Sequence, residues 1–356
     1  MIIPIKPWLD RANGAAVKKG GLVLAADADF FRSTMRGGAG LKQLEEVNRM
    51  EFYHQPIMGK EVLAAMAPLE GKQVFDGTLG GGGHTELFLQ HGTHVVGCDQ
   101  DAEALGYAER RLSQYEDRFL PVLGNFADMD EILHAVGIDQ VDGVLMDLGV
   151  SSHQLDEPSR GFSCREDGPL DMRMDVRTEF SARELVNEWS EEDMIHIFRE
   201  YGEEKRAVRA AKEIVKARQA APIETTLQLA EVVEKAVPRI SGKHPATRVF
   251  QAIRIAVNRE MEVLATALDK SIQILSGGGV LAVITFHSLE DRMVKWFMRR
   301  HSTPVLDRPE WPEPRENSDY CLALPSRRAT TPSEAEIQAN PRARSAKLRV
   351  AVKLED

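Results

Sequence analysis

The chain has 356 residues, of which 43% are hydrophobic and 28% charged, and its formal net charge is −10. This composition is ordinary for a globular protein, and the length allows one large domain or two medium ones. The three cysteines lie far apart, which excludes a disulfide framework and predicts no zinc site, and no apolar run has the length of a membrane span. The acidic balance argues against non-specific nucleic-acid binding, although not against a local basic groove. We therefore expect a cytoplasmic protein with reduced thiols.

The N-terminal segment, residues 1–49, shows little hydrophobic periodicity and contains a glycine-rich patch. Its apolar run at 22–26 is too short for a signal peptide and is followed at once by Asp27 and Asp29. We interpret the segment as an appendage that is either disordered or precedes the true start of the protein at Met50.

Residues 50–154 alternate between predicted strands and helices and form the first part of a predicted core. Strand–helix alternation of this kind is typical of an α/β fold with a parallel, doubly wound sheet. The predicted strands are 73–79, 94–99, 119–124 and 142–148, and the predicted helices are 84–91, 101–114 and 127–136.

The most informative stretch is 73–84, where a short apolar strand runs through Asp76 into a run of glycines and then into a helix from His84. A turn of this kind brings backbone N–H groups close to a nucleotide-like ligand, and a Cβ would block that approach. A flexible loop is the alternative for an isolated glycine run, but the flanking strand and helix disfavour it.

The residues around these glycines narrow the choice of ligand. A phosphate-binding P-loop ends in Gly-Lys-Ser/Thr, whereas His84 and Thr85 follow the glycines here. The dinucleotide pattern Gly-x-Gly-x-x-Gly, started at Gly80, ends at Thr85 and so lacks its third glycine. Asp76 disfavours an anionic pyrophosphate and suits a cationic or zwitterionic ligand such as S-adenosylmethionine. Asp99, at the end of the next predicted strand, is placed to accept hydrogen bonds from ribose hydroxyls.

Asp147 ends the fourth predicted strand of this region. Ligands of open α/β sheets bind beyond the carboxyl ends of the strands, so we expect Asp147 on the same edge as the glycine loop and Asp99. An Asp in such a place often caps a turn or helix. Three acids along one edge favour a functional role over that alternative.

Residues 155–245 are predicted to form a helical insertion in the sheet domain, with Ser181 and Ser190 as N-caps. The insertion begins with an ordered loop rich in Gly, Pro, Asp and Arg. In this loop Phe162, Met172 and Met174 form either ordinary core or an apolar wall around a base.

Basic side chains cluster locally despite the acidic total. A basic helix is usually a solvated face, but three clusters in a chain with a nucleoside-binding loop favour a structured nucleic-acid substrate. On the helix that follows the insertion, Arg248, Arg254 and Asn258 are candidates to hold phosphates or to read a splayed base. The clusters are Lys205, Arg206, Arg209, Lys212, Lys216 and Arg218; His244, Arg248, Arg254 and Arg259; and Arg342, Arg344, Lys347 and Arg349.

Residues 246–356 are predicted to return to the core. Ser288 and Asp291 resemble a capping-box start of a helix. His287 lies at the predicted sheet edge with no expected capping duty, which makes it a second candidate for chemistry. The predicted elements are one long amphipathic helix whose apolar stripe runs from Ala246 to Leu268, a strand at 279–287, a helix from Ser288, an irregular excursion at 302–345 and a closing strand at 347–354.

Seven segments form a further pattern when they are taken together. They are Asp76-Gly77-Thr78-Leu79-Gly80-x-Gly82-Gly83-His84, Asp147-Leu148-Gly149-Val150-Ser151-Ser152, Arg160-Gly161-Phe162-Ser163, Pro169-Leu170-Asp171-Met172-Arg173-Met174-Asp175, His244-Pro245-Ala246-Thr247-Arg248, Phe286-His287-Ser288-Leu289-Glu290-Asp291-Arg292 and Asn340-Pro341-Arg342-Ala343-Arg344-Ser345. In order and in content they resemble the bacterial small-subunit rRNA cytosine-N(4) methyltransferase family (RsmH, formerly MraW). The resemblance runs from about His54 to Val352 and does not include the appendage.

The resemblance implies a Rossmann-like methyltransferase core with an inserted helical domain, S-adenosylmethionine as cofactor, and a cytidine in the decoding centre of 16S rRNA as target. Its partner would be 16S rRNA or the small ribosomal subunit, with no membrane involved. In one respect the chain departs from many amino-methyltransferases, because Asp147-Leu148-Gly149-Val150 stands where they carry an Asn/Asp/Ser-Pro-Pro-aromatic motif. Carried over by position, the resemblance implies cofactor contacts from Gly82, Gly83, His84, Asp99, Phe126, Asp147 and Gln154.

We expect Asp147 to accept the proton that leaves the cytosine amine, with His287 as the second candidate. The sulfonium is already activated, so methyl transfer itself requires no metal ion. Two other functions stay open on the sequence, namely a non-catalytic S-adenosylmethionine-binding RNA-interaction module and an oxidoreductase with a nicotinamide cofactor. The missing third glycine and Asp76 disfavour the oxidoreductase.

Overall fold

The computed structural model of the protein describes Val23–Leu24 and residues 56–115, 117–238, 244–307 and 309–355. The predicted appendage at 1–49 lies outside the described residues, apart from Val23–Leu24, and so does Met50. The chain forms two compact units. The smaller unit contains residues 158–258, and the larger unit contains residues 24–157 together with 259–356.

The strands of the described residues are β1 (Val23–Leu24), β2 (Gln73–Asp76), β3 (His94–Asp99), β4 (Phe119–Leu123), β5 (Val141–Asp147), β6 (Leu275–Thr285), β7 (Val305–Leu306), β8 (Arg315–Glu316), β9 (Leu322–Ala323) and β10 (Lys347–Lys353). Eight of them form one sheet in the order β1-β4-β3-β2-β5-β6-β10-β9, and β7 pairs with β8. Strands β4, β3, β2, β5 and β6 are parallel to one another, whereas β10 is antiparallel to β6 and β9. The predicted α/β class with a parallel, doubly wound sheet is confirmed.

The helices of the described residues are α1 (Gly59–Met66), α2 (Gly83–Gln90), α3 (Ala102–Arg111), α4 (Met129–Ala135), α5 (Ser152–Asp156), α6 (Ala182–Glu188), α7 (Glu191–Glu200), α8 (Ala207–Ala220), α9 (Thr226–Ala236), α10 (Thr247–Val257), α11 (Glu260–Ile274), α12 (Ser288–His301) and α13 (Glu334–Ala339). Short 3₁₀ turns lie at Ser113–Tyr115, Phe126–Asp128, Pro158–Arg160 and Pro341–Ser345. Over the described stretches, every helix falls short of the length and apolarity needed to cross a membrane.

Both faces of the sheet are covered by apolar residues, which explains why its central strands are almost continuously apolar in sequence. Side chains alternate between the faces along each strand. Val74 of β2 and Leu145 of β5 pack with residues of α1 and α2, whereas Phe75 and Met146, one position further along, pack with residues of α4, α11 and α12. The helices thus hold the carboxyl ends of the strands in fixed positions.

The smaller unit consists of α6 to α10 and the loop before them. Ser181 and Ser190 cap α6 and α7 as predicted, because their side chains accept hydrogen bonds from backbone N–H groups in the first turn. Phe162, Met172 and Met174 of the preceding loop are buried, so they serve as ordinary core rather than as a wall around a base.

The smaller unit ends at Asn258, whereas the sequence placed the end of the insertion at 245. Helix α10 accounts for the difference, because it buries Val249, Phe250 and Ile253 and packs against α6 and α7. The apolar stripe of α10 continues without interruption into α11, so periodicity alone does not separate the two helices.

The single long helix predicted from Ala246 is wrong, because α10 and α11 are separate helices that end and begin around Asn258 and Arg259. Arg259 has a left-handed backbone conformation, with φ of 51°. The Asn258 Oδ1 atom accepts a hydrogen bond from Met174 N at 2.7 Å, and Nδ2 donates to Met172 O at 2.8 Å. Nδ2 also donates to Arg254 O at 2.9 Å.

The side chain of Asn258 is therefore a clamp on the loop at 172–174. Both hydrogens of its amide are used in that clamp. This corrects its assignment as an RNA contact, because no amide N–H of Asn258 is left to donate to a base or phosphate.

We expect Asn258→Ala to lower the free energy of unfolding by about 2–3 kcal/mol, because it removes three hydrogen bonds to backbone groups. Urea unfolding followed by circular dichroism measures the change. Asn258→Asp is the matched control, since it keeps an acceptor for Met174 N but loses both donors, and it should be intermediate. An alanine variant as stable as the parent protein would contradict the clamp.

Candidate active site

The carboxyl ends of four neighbouring strands, β3, β2, β5 and β6, meet at one edge of the sheet. Asp99 ends β3, Asp76 ends β2, Asp147 ends β5, and His287 follows β6 two residues after its end. The predicted common edge of the glycine loop, Asp99 and Asp147 is thereby confirmed. We call this edge, with the glycine loop, the acidic edge.

Asp76 lies inside the glycine loop, with 1% of its surface exposed. Its Oδ1 atom accepts a hydrogen bond from Thr78 N at 3.1 Å, and its Oδ2 atom accepts one from the Thr85 hydroxyl at 2.7 Å. Burial raises the pKa of the carboxyl above its ordinary value, although the Thr85 hydroxyl and His84 oppose that shift. Asp76 therefore joins the two ends of the loop from within, and both of its oxygens accept hydrogen bonds from the loop itself.

The loop itself depends on glycine at two positions with positive φ. Gly80 has φ of 49° and Gly82, the N-cap of α2, has φ of 77°. A Cβ on Gly82 would also lie 2.9 Å from the Leu112 side chain, so only glycine fits there. The first N–H groups of a helix lack partners within it, and at α2 they are available to an electronegative part of a ligand.

Asp99 connects the end of β3 to the glycine loop. Its Oδ2 atom accepts a hydrogen bond from Gly80 N at 2.7 Å, and its Oδ1 atom accepts one from Asp101 N at 2.9 Å. Burial raises the pKa of the carboxyl to about 6, although these two backbone N–H groups favour the ionised form. Each oxygen keeps a second lone pair, so the carboxylate is able to accept bonds from a pair of ribose hydroxyls.

His84 and Asp147 form a pair with unused hydrogen-bonding capacity. His84 Nε2 and Asp147 Oδ2 are 3.5 Å apart, at the limit of a hydrogen bond. Both ring nitrogens of His84 and the Oδ1 atom of Asp147 are buried and make no hydrogen bond to the described residues. Asp147 N donates to the Thr78 hydroxyl oxygen at 2.6 Å, which fixes the position of the acid. Polar atoms buried in this way favour a bound ligand that satisfies them.

Gln154 and Phe126 lie at the same edge in different roles. Gln154 is buried, and its Nε2 atom donates to Asp101 Oδ2 at 2.9 Å while its Oε1 atom accepts from Ser151 N at 3.0 Å. Its amide therefore orients α5 and the turn after β3. Phe126 is half-buried beside Gly77, where an added Cβ would lie 2.8 Å from the Phe126 Cβ. The ring thus offers an apolar surface next to the loop.

His287, rather than Ser288, is the N-cap of α12, which corrects two of our expectations. Its Nδ1 atom accepts a hydrogen bond from Glu290 N at 3.3 Å. Glu290 Oε2 accepts in return from His287 N at 3.1 Å and from Phe286 N at 2.8 Å. The two side chains form a capping box, in which histidine takes the place of the usual Ser or Thr. His287 thus has the capping duty that the sequence did not indicate.

The hydrogen-bonding groups at the acidic edge that have unused capacity fit S-adenosylmethionine. The N–H groups at the start of α2 have no capping side chain and suit the cofactor's carboxylate, and Asp99 is suited to ribose hydroxyls. Phe126 offers a surface for adenine. Arg111, which reaches the loop, is neutralised by Glu86 at 2.6 Å and so does not provide a phosphate site.

Several residues that hold the site together were missed at the sequence level. Thr78 and Thr85 bind the two oxygens of Asp76, and Asp101 caps α3 and receives Gln154. Arg111 donates to Gly81 O at 3.1 Å. Thr78 and Thr85 flank the glycine run, so the sequence could have indicated them as partners of Asp76. Arg111 lies at the end of α3, and nothing in the sequence near it indicates a contact with the glycine loop.

The predicted RNA-binding arginines lie in the smaller unit. Arg248 is exposed and donates to Glu203 O at 3.0 Å, and Arg254 is half-buried with its carbonyl bound by Asn258. An exposed row of five cations begins just before α8 and runs along it, and in the described parts of the chain these cations make no ion pair. We call this row the basic face; its residues are Lys205, Arg206, Arg209, Lys212 and Lys216.

The family model described as the MraW methylase family matches residues 51–354. A ribosomal RNA small subunit methyltransferase H of Carboxydothermus hydrogenoformans is 47% identical over 308 residues, which cover 86% of this chain and 99% of that protein. A protein of the same name from Syntrophotalea carbinolica is 48% identical over 309 residues, which cover 85% of this chain and 98% of that protein.

Among solved structures, similarity is found to an rRNA methylase from Streptococcus thermophilus and to an S-adenosylmethionine-dependent O-methyltransferase from Thermotoga maritima. The first has a TM-score of 0.37 and 12% identity, over 82% of this chain and 93% of that chain. The second has a TM-score of 0.36 and 10% identity, over 87% of this chain and 71% of that chain.

We expect the affinity for S-adenosylhomocysteine to fall below about pH 6, because protonation of Asp99 removes a charged acceptor of the ribose hydroxyls. Calorimetric titration should show Kd rising about tenfold between pH 7 and pH 5. The free energy of unfolding follows the opposite trend with pH. Because folding raises the pKa of Asp99, its contribution to stability is complete below about pH 4 and is lost as the pH rises through about 6.

The matched variant for this test is Asp99→Asn, which is neutral at every pH and should bind weakly without the pH dependence. Asp139→Asn, an exposed acid before β5, should keep the dependence of the parent protein. A pH dependence that persists in Asp99→Asn would assign it to another group.

Proposed function

Since the chain belongs to the MraW methylase family, we propose that it transfers a methyl group to the exocyclic N4 amine of a cytidine in the decoding centre of 16S rRNA. The protein is an S-adenosylmethionine-dependent methyltransferase. The observation that carries the proposal is the buried, unpartnered Oδ1 atom of Asp147 at the acidic edge, an acceptor suited to an amine N–H.

The choice of substrate is supported by the relatives that the chain matches. They are named as methyltransferases of the ribosomal RNA small subunit, and the match spans 98–99% of their length. The seven sequence segments that resemble the cytosine-N(4) family include the glycine loop, Asp147 and His287. Together these similarities support small-subunit rRNA and, within it, a cytidine amine.

The residues at the acidic edge favour attack by nitrogen rather than by a ring carbon. Methylation of cytosine at C5 requires a nucleophile, usually a cysteine thiolate, that first adds to the ring. The two cysteines of the larger unit do not suit this role, since Cys98 is buried in β3 and Cys321 lies 3.6 Å from His301 at the other end of α12. An amine needs only an acceptor for its proton, and Asp147 provides one.

In the proposed reaction, Asp147 accepts a hydrogen bond from the amine and then takes its proton. The lone pair of this amine is delocalised into the ring, and an acceptor aimed at N–H favours the pyramidal geometry in which nitrogen attacks. The cofactor, when bound, supplies an activated methyl group. The glycine loop, Asp99 and Phe126 hold and orient it, and alignment of the reacting atoms provides much of the acceleration. His84, whose Nε2 atom lies 3.5 Å from Asp147 Oδ2, is placed to receive that proton in turn.

The smaller unit is the proposed RNA-binding part of the protein. The basic face places three exposed cations on α8 and two just before it, in a chain whose net charge is −10. Phosphates attract such a row, which would hold RNA on either side of the target nucleotide. The cytidine must leave its stack before its amine is able to reach an acceptor at a sheet edge.

Methyl transfer from tritiated cofactor tests the proposal directly. The substrates are small subunits isolated from cells that lack this enzyme, naked 16S rRNA and, for comparison, DNA. We expect label in RNA, recovered as N4-methylcytidine after digestion to nucleosides. Label on C5, on the ribose or in DNA alone would overturn the proposed substrate.

We expect Asp147→Asn and Asp147→Ala to lower kcat by about 10²–10³ at saturating cofactor and RNA, because the proton acceptor is lost. Initial rates of methyl transfer measure the effect, and calorimetry with S-adenosylhomocysteine separates it from a loss of binding. Asp139→Asn, an exposed acid before the same strand, should keep the parent kcat. Near-normal turnover by Asp147→Ala would show that Asp147 is not the proton acceptor.

We expect the triple variant Arg209→Ala, Lys212→Ala, Lys216→Ala to raise KM for RNA roughly tenfold. The slope of log KM against the logarithm of salt concentration should fall by about two to three. Its kcat at saturating RNA should be unchanged, since the basic face binds phosphates and has no part in the proposed proton transfer.

The control for the basic face carries the same change in charge at exposed sites of the larger unit, as Lys60→Ala, Arg110→Ala, Arg328→Ala. A specific RNA-binding role predicts a much smaller effect for this control. Equal effects of the two triple variants would show that the basic face acts only through the net charge of the protein.

A further inference from the structure

The solvent side of α12 carries three cations around one tryptophan. Positions 292, 295, 296 and 299 follow the spacing of a single helix face, and all four side chains are exposed, whereas Val294 and Met298 on the opposite side lie in the core. The methyl transfer proposed above uses none of the four, and all of them belong to the larger unit. We call this surface the α12 face; its residues are Arg292, Lys295, Trp296 and Arg299.

Trp296 is highly exposed for a residue of its size. Its relative exposure is 60%, the highest among the exposed large hydrophobic side chains of the described residues. Tryptophan is mostly buried in folded proteins. The guanidinium carbon of Arg299 lies 5.6 Å from the centre of the Trp296 ring, within the range of a cation–π contact. The ring is therefore held in place by a neighbouring cation and still has free surface for another planar group.

The charge along the α12 face is positive. Lys295 and Arg299 make no ion pair with any residue that the structure describes. The helix has two acids, both in its first turn; one is buried in the capping box, and the other, Asp291, is bound by Lys347 and Arg349. Two cations around one acid leave a net positive charge beside that turn. The basic cluster near the C-terminus thus adds to the positive charge of the α12 face.

A purely structural role explains the α12 face only in part. Cations in the last turn of a helix interact favourably with its dipole, which suits Arg299. This effect falls off within one turn, so it does not account for Lys295 or for an exposed tryptophan.

A protein partner also fits the α12 face poorly. Every residue of α12 is described, and Trp296 is its only exposed large hydrophobic side chain. A tryptophan buries about 250 Å² at most. Each side of a stable protein interface buries about 800 Å². One aromatic ring among cations falls far short of that area.

A single-stranded nucleic acid matches this chemistry. Such strands bind to surfaces that combine cations along the backbone with aromatic rings on which bases stack. The proposed reaction supplies an unstacked strand, because the target cytidine must leave its stack. Helix α12 begins directly after His287 at the acidic edge, so the α12 face leads away from the site of that cytidine. From 292 to 299 the face extends about 10 Å along the helix axis, which is enough for one stacked base and its adjoining phosphates.

We propose that the α12 face binds a single-stranded segment of the RNA substrate next to the target cytidine, with one base stacked on Trp296 and the adjoining phosphates held by Lys295 and Arg299. This inference rests on the proposed function, because it takes RNA as the substrate. It gives the larger unit an RNA contact of its own. The contact requires an unpaired base, whereas the basic face requires phosphates alone.

Two fluorescence measurements on the full-length protein test the inference. The probe is an unstructured RNA of about ten nucleotides, and the same strand annealed to its complement is the comparison. Intrinsic tryptophan fluorescence reports stacking on Trp296, and anisotropy of the labelled RNA gives Kd. We expect the single strand to quench the tryptophan fluorescence and the duplex to quench it much less, since the base faces of a duplex are already stacked.

Variants of Trp296 separate stacking from simple attraction of charge. Trp296→Ala should abolish the quenching and raise Kd for the single strand about tenfold. Trp296→Tyr keeps an aromatic ring, and its Kd should stay within about twofold of the parent value. The matched control is Trp311→Phe, because Arg315 lies 4.8 Å from the centre of the Trp311 ring but outside α12. This control should bind RNA as the parent protein does.

A second pair of variants tests the phosphate contacts. The double variant Lys295→Ala, Arg299→Ala should raise Kd and lower the slope of log Kd against the logarithm of salt concentration by about one to two. Its control, Lys60→Ala, Arg110→Ala, makes the same change in charge at exposed sites of the larger unit and should have a much smaller effect.

Unchanged Kd in both Trp296→Ala and the double variant would overturn the inference, and so would equal quenching by the single strand and the duplex. The measurements follow binding alone, so the two proposals fail separately. Binding that depends on Trp296, without N4-methylcytidine as product, would contradict only the proposed function. Methyl transfer to cytidine with RNA binding that is insensitive to Trp296 would contradict only the role of the α12 face.

Discussion

The site depends on one buried carboxylate, that of Asp76. It binds Thr78 N at one end of the glycine loop and the Thr85 hydroxyl at the other, and so holds a loop with two positive-φ glycines in a single shape. Burying an acid is costly, and the raised pKa of Asp76 reflects that cost. The closed loop in turn presents Gly80 N to Asp99, and Thr78 receives the N–H of Asp147. The positions of the other two acids thus follow from Asp76.

The larger unit concentrates acids at the ends of parallel strands, because the carboxyl ends of β3, β2 and β5 all lie at one edge. Each acid raises the cost of ionising its neighbours, and the pKa of Asp99 at about 6 shows the effect of burial there. A positively charged cofactor relieves this cost, whereas a pyrophosphate would add to it. The smaller unit carries the basic face, whose five cations are exposed and make no ion pair with any residue that the structure describes. A chain with a net charge of −10 therefore combines an edge of buried acids in one unit with an exposed row of cations in the other.

Two polar residues show how a side chain acquires its role from groups far along the chain. Asn258 follows a regular amphipathic helix and had the position of an RNA-facing amide, but its hydrogen bonds go to the loop at 172–174. His287 follows a strand at the acidic edge, and its ring caps α12 and lies against Glu290. In both places the sequence singled out a polar side chain, but Asn258 ends a helix and His287 caps one. The partner of the side chain, which decides its role, could not be predicted.

The sequence by itself determined the α/β class, the approximate positions of strands β2 to β6 and β10, the glycine loop and the common edge of Asp99 and Asp147, because hydrophobic period and local spacing encode these features directly. Only the tertiary structure decided that Asp76 faces into the loop, that α10 belongs to the smaller unit, and that His287 and Glu290 form the capping box of α12. Each of these depends on the direction of a side chain or on contacts between distant segments. A linear pattern records which residues share a face, but a hydrogen bond or ion pair forms only when folding brings two specific atoms within about 3 Å.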